Sequence, residues 1–366
     1  MKVYPLESIH IEEAMQKQFR MSACAMHYFT GSEFLTRGDL GVHQPENQPL
    51  TTHKAEKAIA EFFHAEDCIL VRGAGTGAIR YGLSSIFKPK DKILVHDAAV
   101  YSTTQISLDM LGLEIVKADF NSLDQLRHVM EEHTDIKGAL IQFTRQKPDD
   151  RYSMEEVIKT IQGCRDIPII CDDNYAVLKV SRISCELGAD MSCFSCFKLQ
   201  GPEGIGCVVG KKQYIEKIRK MHYSGGCQVQ GWEALEVLRG LINAPVMLAI
   251  SAQTGEEILK RIHEQGIKGV KHAYMANAQS KVLLIEFERP IAKKVLIEAE
   301  KLGALPNPVG AESKYEFAPL FYRVSGTFLK SDPSFADTMI RINPNRCGAD
   351  TVLEVLEKSI IKALEE

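Results

Sequence analysis

The feature of this sequence that most constrains its fold is a regular alternation of short apolar runs with helical patterns over residues 51–210. Strands that alternate with helices are typical of an α/β layer structure built on a mainly parallel sheet. In such folds, ligands bind at the carboxyl ends of the strands. The apolar runs that predict strands are residues 68–71, 92–96, 113–118, 139–143, 167–172, 191–197 and 206–210.

The rest of the chain divides around this central region. Residues 1–50 predict a helix around 9–20 followed by an irregular arm, and 51–250 predict a large domain. A long helix is expected over 230–264, with a break or kink at Pro245. Residues 251–366 predict a smaller C-terminal α+β domain, with strands at 282–287 and 338–342 and helices at 292–302 and 352–364.

Charge and composition exclude several classes of protein. Lysine and arginine total 44 against 48 acids, a net charge of −4, whereas a general binder of nucleic-acid backbones needs a basic excess. Neither a secretory signal nor a run of ~18 apolar residues is visible. The ten cysteines lie mostly in apolar runs, which favours reduced, buried thiols in a cytoplasmic protein. The Cys193 and Cys196 pair lacks further ligands at metal-binding spacing, so no metal is expected.

A glycine-rich stretch, CILVRGAGTGAIRYGL, places Gly73, Gly75 and Gly77 between a predicted strand and a predicted helix. Glycines at such a junction let backbone N–H groups approach an anion, and the helix N-terminus adds partial positive charge. The Gly-Lys-Ser/Thr ending of a Walker loop is absent, and the spacing differs from the dinucleotide fingerprint. The stretch is typical of either a phosphate site or a plain tight turn.

Two further predicted strands are followed by residues with ionisable side chains. The run IPIIC leads into Asp172 and Asp173, and MSCFSCF is followed by Lys198 and a glycine-rich turn. Acids at the end of a buried strand are costly unless a cation is near, although turn or capping residues also fit this position. A lysine in apolar surroundings can act as an amine nucleophile, although most lysines are simply exposed.

Pyridoxal 5′-phosphate requires hydrogen-bond donors for its phosphate, an acid for its pyridine nitrogen and a lysine that forms a Schiff base. The glycine-rich stretch, the aspartates and Lys198 together provide these three features. Over most of its length the sequence resembles the fold-type I pyridoxal-phosphate enzymes. That resemblance implies an α/β fold with a mainly parallel central sheet, a smaller C-terminal domain, pyridoxal phosphate as cofactor and a homodimer.

The resemblance also implies individual roles. GAGTGAI (73–79) resembles the phosphate loop of the cystathionine and methionine lyases, which assigns phosphate contacts to the backbones of Gly75 and Thr76. VHDAAVYSTTQ resembles the segment of that family with a tyrosine stacked on the cofactor ring, here Tyr101. CDDNYA resembles an Asp-x-x-Tyr/His pattern, which gives Asp172 to the ring nitrogen and Tyr175 to the 3′-oxygen.

Three more residues follow from the same comparison. The lyases' Asp-Asn pattern would choose Asp173 for the ring nitrogen, and we prefer Asp172. SCFK places Ser195 three residues before Lys198, where these enzymes use a serine hydroxyl on the phosphate. MIRINPNRCG resembles the segment whose arginine grips the substrate carboxylate, here Arg341, a contact suited to a planar guanidinium. A surface arginine at the start of a loop is the alternative.

The reaction stays open. The stretch after the lysine, LQGPEGIGCVVG, resembles class V aminotransferases and selenocysteine synthase, whereas 223–241 resembles the lyases. The lyases' Tyr-x-Arg is missing from 37–50, and Arg37, His43 and His53 remain unassigned. We expect an enzyme that acts on an amino acid through an external aldimine, by β- or γ-elimination. Transamination and a selenocysteine-synthase-like transfer are alternatives within this class, and a cofactor-binding regulatory protein without turnover is an alternative outside it.

Overall fold

The computed structural model describes residues 3–147, 149–276, 282–329 and 332–365, apart from the side chain of Thr327. These residues group into two compact units. The larger unit contains 12–144 and 151–245, and the smaller unit contains 1–11, 145–150 and 246–366. The division therefore falls after Pro245, and the first residues of the chain group with its C-terminal part.

The larger unit alternates helices and strands. Its helices are α1 (Ile11–Tyr28), α2 (Leu50–Phe62), α3 (Ala74–Ile86), α4 (Ser102–Met110), α5 (Leu123–Glu132), α6 (Met154–Cys164) and α7 (Lys212–Met221). Its strands are β1 (Asp67–Arg72), β2 (Lys92–His96), β3 (Glu114–Ala118), β4 (Ile136–Gln142), β5 (Ile169–Asp172), β6 (Met191–Ser195) and β7 (Ile205–Gly210). Helix α8 (Gly231–Gln265) begins in this unit and continues into the smaller one.

Within the described residues, the strands of the larger unit form one seven-stranded sheet in the order β1-β7-β6-β5-β4-β2-β3. Strands β6, β5, β4, β2 and β3, in this order across the sheet, are parallel to one another, whereas β7 is antiparallel to its neighbours β1 and β6. Every residue of β5, β6 and β7 is buried, as expected for strands covered on both faces. One apolar core joins residues of this sheet to residues of α3 and α7.

Local signals explain where the helices of the larger unit begin. Ser122 and Ser153 precede α5 and α6, and each hydroxyl accepts a hydrogen bond from a backbone N–H of the first turn. Arg72, at the end of β1, makes paired hydrogen bonds of 2.8 and 2.7 Å to the carboxylate of Glu233 in the first turn of α8. This pair ties the end of β1 to α8.

The smaller unit is built on an antiparallel sheet in the order β10-β11-β9-β8. Its strands are β8 (Val270–Met275), β9 (Leu283–Phe287), β10 (Leu320–Arg323) and β11 (Met339–Asn343). Its helices are α9 (Ala292–Lys301), α10 (Gly326–Leu329), α11 (Phe335–Thr338) and α12 (Ala349–Glu365). The apolar faces of α9 and α12 pack with the sheet in one core.

The seven predicted strands of the larger unit all occur, and the predicted fold class, α/β with a mainly parallel sheet and a smaller α+β part, is confirmed. Strands β8 and β10 were not predicted, because β8 exposes Lys271 and His272 in its middle and β10 is only four residues long. The predicted break at Pro245 does not occur. Helix α8 continues through it, and the buried neighbours Ala244 and Leu248 provide packing that holds the helix together.

One helix among the described residues, spanning 225–265, is long and apolar enough to cross a membrane by length and composition alone. Of its most apolar window, 61% is buried inside the protein. The core helix of a soluble protein passes the same test, so this helix is weak evidence for a membrane span.

Candidate active site

The candidate site of the larger unit lies where β5 and β6 end. The two strands are parallel neighbours, so their carboxyl ends lie at the same edge of the sheet. Asp172 is the last residue of β5 and Ser195 the last of β6, and both are buried. Lys198 follows three residues later in a 3₁₀ turn over Phe197–Leu199. The topology thus brings together three residues that lie apart in the sequence.

Asn174 connects these residues. Its side-chain nitrogen donates to Asp172 Oδ1 at 2.7 Å. Its oxygen accepts from the backbone N–H of Ser195 at 3.0 Å and from Lys198 Nζ at 3.3 Å. A Cβ added to Gly75 would lie 2.6 Å from the Asn174 amide, so any larger residue here would displace that amide. One amide therefore spans the ends of both strands and touches the glycine-rich loop.

Asp172 and Asp173 differ in what their carboxylates meet. Burial raises the pKa of Asp172, while the Lys198 charge and the hydrogen bonds from Asn174 act to lower it. The Asp173 carboxylate instead accepts from the backbone N–H and hydroxyl of Ser184, at 3.0 and 2.5 Å. Burial raises the pKa of Asp173 to about 6. Asp172 is the carboxylate associated with the lysine, and Asp173 belongs to a separate buried network.

The loop that follows β5 brings an aromatic ring to the lysine. Lys198 Nζ lies 3.9 Å from the centroid of the Tyr175 ring, and the amine of buried Lys179 lies 5.4 Å from the same centroid. Tyr175 has a φ of 65°, in the left-handed region, and Gln200 beyond the lysine has a φ of 64°. Non-glycine residues held in this region tend to cluster at functional sites.

The glycine-rich loop ends at the N-terminus of α3. Gly73 precedes the helix with a φ of 97°, a conformation that favours glycine. The backbone N–H groups of Gly73 and Ala74 both donate to the Gly204 carbonyl, at 2.8 and 2.9 Å. The next amides, of Gly75 and Thr76, are in the first turn and have no acceptor within the helix. The helix dipole adds partial positive charge there, as an anion site requires.

Tyr101 lies immediately before α4, and its side chain is 49% exposed. The first turn of α4 touches the glycine-rich loop, since the Thr76 hydroxyl donates to the Thr103 hydroxyl at 3.2 Å. Tyr101 therefore lies two residues before Thr103, which contacts the segment predicted to bind a phosphate.

Arg341 belongs to the smaller unit, in the middle of β11, so it is a strand residue rather than the start of a loop. Its Nε donates to the Arg323 carbonyl at 2.9 Å, and its guanidinium lies 4.0 Å from the centroid of the Tyr322 ring. The guanidinium plane is thus oriented by two contacts on the neighbouring strand β10.

The cysteines show no arrangement for binding metal. Cys193 and Cys196 are fully buried, and burial raises the pKa of both thiols. No cluster of three or more metal-ligating side chains occurs in the described ranges.

Comparison with known proteins agrees with this architecture. Residues 21–295 match the family described as aminotransferase class-V. The chain belongs to the aminotransferase class-V family. Residues 256–356 also match a family described as the YhfS-like C-terminal domain.

Individual relatives support the same placement. The Escherichia coli (strain K12) protein YhfS is 52% identical over 360 residues, covering 98% of this chain and 99% of its own. A probable cysteine desulfurase of Pseudomonas aeruginosa is 25% identical over 228 residues, covering 58% of this chain and 55% of its own. The E. coli relative therefore matches nearly the whole chain, and the desulfurase matches a little over half of it.

Solved structures show the fold. The crystal structure of E. coli YhfS, described as a pyridoxal-5′-phosphate dependent protein, superposes with a TM-score of 0.97 over 99% of each chain at 52% identity. A cystathionine gamma lyase of Micromonospora echinospora superposes with a TM-score of 0.71 at 15% identity, over 86% of this chain and 88% of its own. The class-V chain has the fold-type I architecture.

The residues present fit pyridoxal phosphate. The first turn of α3 offers backbone donors at a helix N-terminus beside Gly75. Asp172 offers a buried carboxylate, and Lys198 offers an amine held by Asn174 at 3.3 Å. This donor set suits three polar groups of the cofactor, namely the phosphate, the ring nitrogen and the aldehyde.

Sequence reasoning missed two residues that the structure adds to this group. Asn174 has no predicted role, although an asparagine two residues after an aspartate is a recognised local hydrogen-bonding pattern. Lys179 gave no signal, because its contact with Tyr175 depends on the left-handed turns at Tyr175 and Leu178.

Proposed function

We propose that this chain acts on an amino acid at the site around Lys198, with pyridoxal phosphate as its cofactor. It is a pyridoxal-phosphate-dependent enzyme of fold-type I. The observation that carries the assignment of residues is the Asn174 amide, which joins Lys198, Asp172 and the end of β6 within 3.3 Å beside the N-terminus of α3.

Each polar part of the cofactor has a proposed partner. The backbones of Gly75 and Thr76 and the hydroxyl of Ser195 bind the phosphate. Asp172 binds the ring nitrogen, because a buried carboxylate whose pKa is raised by burial gains most from a cation beside it. Tyr101 and Tyr175, which were expected to stack on the ring and to contact the 3′-oxygen, complete the set.

When bound, pyridoxal phosphate supplies an aldehyde that joins amines and a ring that withdraws electrons. Lys198 would hold the aldehyde of the bound cofactor through its amine. Once free, the same amine would move the proton at the carbon next to the substrate nitrogen. Arg341 holds the substrate carboxylate through two parallel N–H groups. Asp172 would bind the ring nitrogen and favour its protonated form, because opposite charges beside each other stabilise both.

We favour elimination as the reaction. The phenol of Tyr101 is half-exposed and lies two residues before Thr103, which is hydrogen-bonded to Thr76 of the predicted phosphate site. This phenol provides an acid or base for a leaving group. Transamination is the second candidate, because the chain matches the aminotransferase class-V family over 21–295. A selenocysteine-synthase-like transfer would require a basic surface for RNA, which the net charge of −4 does not favour.

One experiment separates elimination from transamination. Purified holoprotein is incubated without a keto acid, with cysteine, serine, homoserine-derived and basic amino acids in both enantiomers. Elimination releases ammonia and a keto acid over many turnovers, whereas transamination stops after one equivalent without ammonia. A single equivalent across all substrates would refute elimination.

We also propose a cytoplasmic homodimer. Helix α1 exposes Met15, Phe19 and Met26 along one side, and the following arm exposes Leu35 and Leu40. An exposed apolar stripe on a helix favours a protein partner over water, and a second copy is the expected one. Light scattering should give twice the mass of 40.9 kDa. A monomeric mass at micromolar concentration would contradict the proposal.

A further inference from the structure

Resting on the proposed function, we propose that Asn174 is a positioning residue whose amide keeps the Lys198 amine and the Asp172 carboxylate at a fixed separation. Without an intervening group, the ammonium of Lys198 and the carboxylate of Asp172 would attract each other and form a direct ion pair. In that pair, neither group would be available to the end of the cofactor that it binds. The amide satisfies both groups and keeps each where the cofactor meets it.

The direction of the Asn174 amide is set by its partners. Its nitrogen faces Asp172 Oδ1 at 2.7 Å, and a carboxylate oxygen only accepts hydrogen bonds. Its oxygen faces the backbone N–H of Ser195 at 3.0 Å, which only donates. A flipped amide would place donor against donor and acceptor against acceptor. The oxygen is therefore the atom held toward Lys198 Nζ.

The position of this amide is also fixed. The backbone N–H of Asn174 donates to the same Asp172 Oδ1 at 3.0 Å, so the residue is tied to Asp172 twice. Gly75 leaves the space that the amide occupies, because a Cβ there would lie 2.6 Å from the amide atoms. A side chain tied to Asp172 and to the backbone of Ser195 loses little further freedom when it binds Lys198, as positioning requires.

The chain contains a second asparagine turn of the same local geometry, away from Lys198 in the sheet. After β3, Asn121 donates to Asp119 Oδ1 from its backbone N–H at 3.1 Å and from its side chain at 2.7 Å. Its oxygen accepts from the backbone N–H of Arg151 at 2.7 Å. This turn has the same local geometry three strands away in the sheet. A substitution of Asn121 therefore measures the general effect of losing an asparagine turn, as a control for the effect of Asn174 on Lys198.

The test measures the reactivity of Lys198 in the cofactor-free protein. Wild type, Asn174→Ala, Asn174→Asp and Asn121→Ala are acetylated with a trace of acetic anhydride across a pH series, and the Lys198 peptide is quantified by mass spectrometry. Folding of each variant is checked by circular dichroism, and Asn174→Asp keeps the size of the native side chain. Exposed Lys212 in the same digest is the internal reference.

In Asn174→Ala the lysine is free to approach Asp172, so its pH profile moves upward and its acetylation at neutral pH falls about tenfold. Asn174→Asp adds a carboxylate beside the amine and shifts the profile further in the same direction. Asn121→Ala leaves it unchanged. A Lys198 profile in folded Asn174→Ala or Asn174→Asp that coincides with wild type would overturn the proposal.

A second readout uses the cofactor. The rate at which each protein develops the yellow band after pyridoxal phosphate is added should fall in both Asn174 variants and be unchanged in Asn121→Ala. Wild type that develops no band refutes the proposed function instead, because the acetylation result does not depend on the cofactor.

Discussion

Asp172 and Asp173 are adjacent in sequence, yet only Asp172 is hydrogen-bonded to the amide that also holds Lys198. Asp173 is fully buried and bound by Ser184. The strand ends at Asp172, so the two side chains leave it in different directions. We therefore expect substitution of Asp172 to affect activity and substitution of Asp173 to affect stability.

The first prediction concerns activity. Asp172→Asn should lower kcat at least about tenfold with the fold intact, because a neutral amide no longer favours a protonated ring nitrogen. Asp173→Asn should change activity far less. Steady-state kinetics and circular dichroism of both variants provide the measurement, and a mild Asp172→Asn with an inactive Asp173→Asn would show that the chosen register is off by one residue.

The second prediction concerns stability near Asp173. Because burial raises the pKa of Asp173 from 3.8 to about 6, the folded state binds the proton more tightly than the unfolded state. The contribution is fully present below pH 3.8 and is lost as pH rises through 6, by about 3 kcal/mol. Urea unfolding of wild type between pH 4 and 7 should show this loss relative to Asp173→Asn. Parallel curves for the two proteins would contradict it.

A third prediction, of opposite sign, concerns His222. Its side chain is buried against the Tyr81 ring, and no hydrogen-bond partner of its Nε2 is found among the described residues. Burial and the Arg219 charge lower its pKa from 6.5 to about 4. Stability is therefore present above pH 6.5 and is lost as pH falls from 6.5 toward 4. His222→Phe keeps the ring contact and should remove this loss in the same unfolding series, whereas an unchanged slope would count against it.

The fourth prediction concerns Arg341. Arg341→Lys should raise KM at least about tenfold with a smaller effect on kcat, since lysine cannot make two parallel N–H contacts. Arg323→Lys on the neighbouring strand is the matched control and should keep KM near wild type. Equal KM values in Arg341→Lys and wild type would remove Arg341 from the substrate site.

The seven strands of the larger unit and the order of the candidate residues could be predicted, because each depends on local sequence. The run from Ile169 to Asp172 is apolar up to its last residue, and the glycines at 73 and 75 mark a strand-to-helix junction. The roles of Tyr101 and Arg341 came from the family resemblance and remain predictions.

The contacts of Asn174 and Lys179 could not be predicted, because they depend on the left-handed turn at Tyr175 and on the register between β5 and β6. The continuation of α8 through Pro245 likewise depends on tertiary packing, which local propensity does not report. Long-range placement of side chains is the part of the site that required the structure.

The most direct test of the account is covalent trapping of the cofactor. Wild-type holoprotein is treated with borohydride, digested and sequenced by mass spectrometry, with Lys179→Arg as the control for the second lysine beside Tyr175. The account predicts a yellow protein that carries the reduced cofactor on Lys198 in both proteins, and none in Lys198→Arg. Recovery of the cofactor on Lys179 or any other lysine in the wild type would contradict it.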